Sequence, residues 1–327
     1  MLILAGAMHH EHKTEWERAM RLIIMGQQAF GQSALERILA RGRDEVVAVY
    51  CAPDREGRPD DPLKTAAIAA GLPVFQPAGF RDDAVLATMR SHNADLMIMA
   101  YVTLFVPEAA RDIPRLGSIC FHPSLLPLHR GPSSINWPII NGAARTGFSW
   151  FYPTDGLDEG DILLQWDCAI DPDDTLGDVY FKKIYPAAIE SLDEVCDLFR
   201  TDQPPRTVQD EAGATYESWC RAADAKIDWR QPVATVYNLI RGTNPQPGAW
   251  TTWQGERLQI YDARPSAGEG EPGTVASIAA EAIHVQATGG RIGVQRLRPA
   301  GSGKVRAGDW AHMAGLTVGS RFGVDGD

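Results

Sequence analysis

The sequence has no apolar run long enough to cross a bilayer, since a helical span needs about 20 consecutive apolar residues. It has no CxxC pair. Its five cysteines, Cys51, Cys120, Cys168, Cys196 and Cys220, are scattered and odd in number, which argues for free thiols in a reducing cytoplasm rather than a disulfide framework. It has no excess of positive charge: the formal net charge is −11, whereas nucleic-acid affinity comes largely from Lys and Arg neutralising phosphates. Internal repeats and low-complexity tracts are also missing. So is a dinucleotide or P-loop fingerprint. In Gly26-Gln27-Gln28-Ala29-Phe30-Gly31 a glutamine takes the second glycine position of G-x-G-x-x-G, and no GK[ST] follows; that glycine is the one that lets a pyrophosphate approach the backbone. At the N-terminus, Met1 to Ala7 is too short for a signal-peptide core and lacks a basic start. Residues 1–20 read as an extension without chemistry, and His9-His10-Glu11-His12 within it as an incidental cluster.

What is present is an ordinary globular composition, 44% hydrophobic and 22% charged, over 327 residues, enough for two domains. Apolar runs at Arg21–Gly26, Glu45–Cys51, Leu72–Phe75, Asp95–Ala100 and Ser118–His122 read as strands. Between the first four lie Gln28–Ala40, Leu63–Ala70 and Asp82–Ser91, with helical spacing. That alternation predicts an α/β, Rossmann-like, doubly wound and mostly parallel sheet. A helix over Ser134–Asn141, strands at Gly147–Tyr152 and Ile162–Ile170, and a long helix capped by Asp174 and running to Phe199 complete a domain over 21–204. The stretch 205–222, opening near Pro204-Pro205, reads as a linker. Over 223–327, a helix at Pro232–Arg241 and short runs at Gly248–Trp253, Arg257–Ala263, Gly273–Ile278, Ala282–Thr288 and Gly290–Arg298 predict a smaller β-rich, barrel-like domain.

Two irregular segments concentrate acid–base groups. His122 ends a strand and precedes the rigid turn Pro123-Ser124-Leu125-Leu126-Pro127. Thr154-Asp155-Gly156-Leu157-Asp158-Glu159-Gly160-Asp161 sets four acids and two glycines between two strands. It does not supply the alternating ligands of a 12-residue calcium loop, so an acid beside an imidazole is the better chemical use of it. Strand alternation puts Cys120 on the same face as His122. A thiolate nucleophile there lacks a third member to orient the base, and a buried structural thiol is the plainer reading.

At these residues the chain resembles the folate-dependent formyltransferase family, most of all the N-terminal hydrolase domain of 10-formyltetrahydrofolate dehydrogenase, and it is also similar to methionyl-tRNA formyltransferase. The resemblance rests on Gly26–Gln32, Gly117–Pro127, His129-Arg130-Gly131, Ser134–Trp137 and Asp155–Asp158. It continues through Gly213–Glu217, Ala225–Trp229 and Ile240–Gly242. It implies 10-formyltetrahydrofolate as formyl donor without a metal, a catalytic set of His122 and Asp158 with Cys120 at the position of a family catalytic-site Asn, and a pterin held by Met99, Tyr101, Phe105, Ser124 to Pro127, and Asp155, Gly156 and Leu157. The family usually has Asn where Cys120 stands. Losing such an oxyanion donor typically costs about 3–4 kcal/mol where one is used. The implied acceptor is water, a carrier thiol or an amine; tRNA is disfavoured because the loop Asp54–Asp61 carries more acid than base. The dehydrogenase's own later domains have no counterpart here, so no NADP-dependent oxidation is expected. A folate-binding protein without turnover, motivated by Cys120, and a nicotinamide oxidoreductase, by fold analogy alone, are the rival readings.

Overall fold

A computed structural model of the chain describes residues 18–323; the calls on residues 1–17 lie outside them. In chain order the elements are β1 (Arg21–Gly26), α1 (Gln28–Arg41), β2 (Glu45–Cys51), α2 (Pro62–Ala69), β3 (Val74–Phe75), α3 (Asp83–Ser91), β4 (Leu96–Ala100), α4 (Glu108–Arg111) and β5 (Ser118–His122). Then come α5 (Asn136–Ile140), β6 (Arg145–Phe151), β7 (Ile162–Ala169), α6 (Leu176–Asp178) and α7 (Tyr185–Leu198). The remainder is α8 (Val233–Gly242), β8 (Ala249–Trp253), β9 (Glu256–Ser266), β10 (Val275–Ile278), β11 (Ile283–Ala287), β12 (Gly290–Pro299), β13 (Val305–Arg306) and α9 (Ala307–Met313).

The first seven strands form one sheet in the order β3-β2-β1-β4-β5-β6-β7. β1 runs parallel to β2 and β4, β2 to β3, and β4 to β5. This is the Rossmann-like sheet the alternation predicts. Gly26 is needed for a reason unconnected with phosphate: a Cβ there would lie 2.1 Å from the Ala100 carbonyl oxygen on β4, so only glycine lets the two strands approach.

The chain divides into two compact units. One contains the described residues up to Phe121 together with 150–155 and 189–207; the other contains 122–149, 156–188 and the residues from 208 onward. The core of the first unites Ile23, Met25, Tyr50, Met89, Met97 and Met99, with Cys120 packed against it. In the second, Asn136 on α5 donates to the carbonyls of Gly242 (2.9 Å) and Gln246 (3.0 Å). β8 to β13 form an antiparallel sheet in the order β10-β11-β12-β9-β8, with β13 on β12, over a core that includes Trp229, Ile240, Ile260, Val294, Trp310 and Phe322.

The structure departs from the sequence reading at the expected long helix. Asp174 does not cap it. Its carboxylate binds Lys183 Nζ at 2.5 Å and accepts from the Asp171 N–H at 2.8 Å. Thr175 caps instead, in a capping box with Asp178, and a π-helical stretch, Val179–Ile184, separates α6 from α7. Likewise α5 starts at Asn136, not Ser134, behind a turn in which Ser133 is left-handed (φ 63°). α9 was not foreseen.

The capping box carries a prediction. Burial pushes the Asp178 carboxyl up, but hydrogen bonds from Lys182 and from the Thr175 side chain and backbone outweigh it and bring it down to about 2. A carboxyl lower in the folded state stabilises above its unfolded value, and that contribution is lost as pH falls through the folded one. Thr175→Ala should cost about 1 kcal/mol in urea unfolding at neutral pH, and the gap to the parent should narrow between about pH 4 and pH 2.

Candidate active site

His122 is the last residue of β5, a strand whose alternation turns Ile119 and Phe121 inward, the latter stacked on Phe30 with ring centroids 4.3 Å apart. Strand pairing ends at this point. The Ser124 N–H bonds back to the His122 carbonyl at 2.9 Å and starts the turn. The turn is fastened from inside. Ser124 is fully buried and its hydroxyl donates to the Leu128 carbonyl at 2.7 Å. Ser149 Oγ donates to the Ser124 carbonyl (2.8 Å) and accepts from the Leu126 N–H (3.2 Å), while Gln165 Nε2 donates to the Leu126 carbonyl at 2.9 Å. The Ser124 hydroxyl and the backbone groups of Ser124 and Leu126 are therefore engaged in building the turn itself.

His122 is 7% exposed, with both ring nitrogens engaged. Nε2 lies 3.0 Å from the His129 carbonyl oxygen. A carbonyl only accepts, so Nε2 carries a hydrogen. Nδ1 lies 3.6 Å from Asp158 Oδ2. That is long for a hydrogen bond and short enough for an ion pair when the ring is charged. The same Oδ2 accepts from the Gly131 N–H at 2.8 Å, which fixes the carboxylate. Asp158 is left-handed (φ 56°), a costly conformation for a non-glycine residue that its surroundings must impose. The structure thus joins the two groups that the sequence reading paired across 36 positions of chain.

The other named residues fall elsewhere. Leu157 is exposed beside Gly131. A Cβ on Gly156 would sit 2.0 Å from Glu159 Oε2. Cys120 packs against the core of the first unit, its thiol 3.7 Å from the Phe121 carbonyl. Within that unit Asp155 pairs with Arg111 at 2.9 Å, Met99 lies in the core, and Tyr101 and Phe105 expose about half of their surface, at 46% and 54%. Tyr101 lines a narrow slot with Gly26, Gln27, Phe80 and Leu104. The acidic loop is partly neutralised from within, because Lys64 binds both Asp54 (2.5 Å) and Asp60 (2.9 Å) and Asp61 caps α2.

Sequence reasoning passed over His129, Arg130, Gln209, Thr215, Tyr216 and Glu217 as site residues. Arg130 is wholly buried, and a buried arginine is rare enough to mark a built structure. In sequence it looks like any basic residue in a turn. All five cysteines are free thiols; burial pushes Cys196 up to about 12 and Cys51 and Cys220 up to about 11. Among the described residues no group of three His, Cys, Asp or Glu is placed to hold a metal, and no helix is long and apolar enough to cross a membrane.

The formyl transferase family matches residues 20–188, and the formyl transferase C-terminal domain matches 220–315. The human cytosolic 10-formyltetrahydrofolate dehydrogenase is 38% identical over 274 residues, 78% of this chain but only 30% of that protein. Methionyl-tRNA formyltransferase of Geotalea daltonii is 35% identical over 309 residues, covering 93% of this chain and 98% of that one. Among solved structures, Aquifex aeolicus HypX in complex with tetrahydrofolic acid superposes with a TM-score of 0.65 at 18% identity, over 92% of this chain and 48% of HypX. The sugar 3N-formyl transferase WlaRD superposes with a TM-score of 0.65 at 16% identity, over 87% of this chain and 99% of WlaRD; at such identities the likeness is one of fold. With its N-terminal half and its C-terminal domain both matched, and a bacterial relative matched along almost its whole length, this chain belongs to the formyl transferase family.

Proposed function

We propose that the chain takes the formyl group of 10-formyltetrahydrofolate, passes it to water or to a nucleophilic acceptor, and releases tetrahydrofolate. The observation that carries this reading is the His122–Asp158 pair, 3.6 Å apart, with His122 held at Nε2 by the His129 carbonyl and Asp158 Oδ2 held by the Gly131 N–H. The donor supplies a formyl carbon already activated by its bond to N10. His122 acts through Nδ1, because its Nε2–H is committed to the His129 carbonyl. From there a charged ring can donate to the formyl oxygen as negative charge develops on it. Asp158 is the counter-ion of that ring. It also orients the attacking water or acceptor, receives its proton and relays one toward the departing nitrogen. The exposed rings of Tyr101 and Phe105 are the kind of surface on which a pterin stacks, and Met99, Ser124 to Pro127, Asp155, Gly156 and Leu157 complete the proposed donor-binding set. Cys120 cannot replace an amide donor, so His122 and backbone N–H groups carry more of the charge stabilisation.

Water, or a carrier thiol or small amine, is the acceptor in keeping with the dehydrogenase-like motif, and the cytoplasm is the proposed location. A second reading, transfer to methionyl-tRNA, is favoured by the match along 98% of a methionyl-tRNA formyltransferase. It is opposed by the net charge of −11. Transfer to an amino sugar is a third. Formyl-labelled 10-formyltetrahydrofolate, incubated with the protein alone, with charged initiator tRNA and with amino sugars, separates them. The proposal expects tetrahydrofolate release without tRNA, the label appearing in formate or a small acceptor. Label found only in tRNA selects the second reading, and no tetrahydrofolate under any condition refutes formyl transfer.

A further inference from the structure

Residues 205–222 read in sequence as a connector. We propose that the part of it from Gln209 to Glu217 is a strap that positions both catalytic groups, gripping the Asp158 loop at one end and, at the other, the peptide that fixes the tautomer of His122. This rests on the formyl-transfer reading and adds to it a set of positioning residues.

At the Asp158 end the agent is Gln209, which is 5% exposed. Its Nε2 donates to the Asp158 carbonyl (2.8 Å) and to the Gly160 carbonyl (2.6 Å). Its Oε1 accepts from Arg130 Nε (3.1 Å) and Nη2 (2.9 Å). Two donors and two lone pairs are all that an amide has, so every hydrogen bond Gln209 can make goes to the loop or to Arg130. The guanidinium of Arg130, fully buried, also binds both Glu211 oxygens, at 2.6 and 3.0 Å, and the Tyr216 hydroxyl. That hydroxyl donates to Glu159 Oε1 at 2.8 Å, one residue past Asp158. The left-handed backbone at Asp158 is held in place by these bonds.

At the His122 end the strap pairs with residues 127–131. The Thr215 N–H donates to the Pro127 carbonyl (3.2 Å), the Arg130 N–H to the Thr215 carbonyl (2.9 Å) and the Glu217 N–H to the Arg130 carbonyl (3.0 Å). The strap holds His129 at two points. Its N–H donates to Thr215 Oγ1 at 2.7 Å, and its Nδ1 meets the Glu217 carboxylate at 2.7 and 2.8 Å. Its backbone, left-handed at φ 60°, turns the carbonyl onto His122 Nε2. Releasing His129 removes the acceptor that decides which nitrogen of His122 keeps its hydrogen. Gly131 shows how tight the fit is: a Cβ there would lie 2.6 Å from the Glu217 carbonyl oxygen, while its N–H holds Asp158.

The test uses the full chain and has one readout independent of folate. Ring nitrogens of His122 are observed by 15N NMR at alkaline pH, where histidines are neutral, and assigned by their loss in His122→Asn. The parent should show a single Nε2–H tautomer. The double variant Thr215→Val/Glu217→Ala should show both tautomers, and Thr215→Val/Glu217→Gln, which keeps an acceptor for His129, should recover most of the single form. Gln209→Leu should leave the tautomer unchanged and lower kcat about 10- to 100-fold, as a misplaced reacting group does, with KM for the folate within about threefold. A His122 ring that keeps one tautomer in the double variant overturns the His129 half whatever the turnover. Parent-like kcat in Gln209→Leu overturns the Asp158 half. If the parent itself releases no tetrahydrofolate, the formyl-transfer reading fails, and the NMR result still decides whether the strap sets the His122 ring.

Discussion

His122→Ala is expected to lower tetrahydrofolate release by about 10³-fold or more, since general acid–base catalysis alone is worth about 10²–10⁴ and a lost donor to a developing oxyanion about 10²–10³. The two roles overlap in one ring, so the losses do not simply multiply. The expectation is large because the structure offers little to substitute. Cys120, which shares the strand, packs against the core of the first unit, and the buried hydroxyl of Ser124 is spent on the Leu128 carbonyl. KM for the folate should change far less than kcat, because His122 is 7% exposed and the role proposed for it lies in the chemical step, not in holding the pterin. Steady-state kinetics of the purified variant, with circular dichroism to show that it folds, checks both parts. A variant that lost kcat and KM together with its secondary structure would show only that His122 is needed for folding.

Asp158→Asn should cost about 10²–10³ in kcat. The amide has nearly the volume of the carboxylate, and its oxygen can still accept from the Gly131 N–H that now binds Oδ2 at 2.8 Å, so the loop should survive. What disappears is the charge facing His122 Nδ1 at 3.6 Å and a proton acceptor for the attacking group. Asp158→Ala would add the loss of the Gly131 contact, leaving that N–H without its partner. The difference between Asn and Ala therefore separates the chemical part of Asp158 from its structural part: comparable kcat with a lower melting temperature for Ala supports the division, and a nearly active Asn variant removes Asp158 from the mechanism.

The fold was legible where single stretches of sequence determine it. Arg21–Gly26, Glu45–Cys51 and Ser118–His122 are strands at the predicted residues, because buried parallel strands show as short apolar runs ended by glycine or a turn. The break between α6 and α7 was not legible. Asp174 and Thr175 are both good caps, and the choice fell to Thr175 because Lys183 engages Asp174. In the candidate site, the proximity of His122 and Asp158 was legible because each lies in an unusual local segment next to a strand. The residues that hold them were not, because their bonds join positions far apart in sequence: Gln209 to Asp158, Glu217 to His129. No periodicity encodes such pairs. Gln209 in a polar, proline-flanked stretch looks like a solvated loop residue, and its 5% exposure and four side-chain hydrogen bonds show otherwise.

The central claim is that His122 and Asp158 act on the same chemical step. The measurement closest to it is a double-mutant cycle on kcat/KM for 10-formyltetrahydrofolate with His122→Ala, Asp158→Asn and the combined variant. If the pair works as a unit, the combined variant should fall within about tenfold of His122→Ala alone. Losses that multiply in full would mean that the two side chains serve separate steps, and the paired mechanism would be wrong.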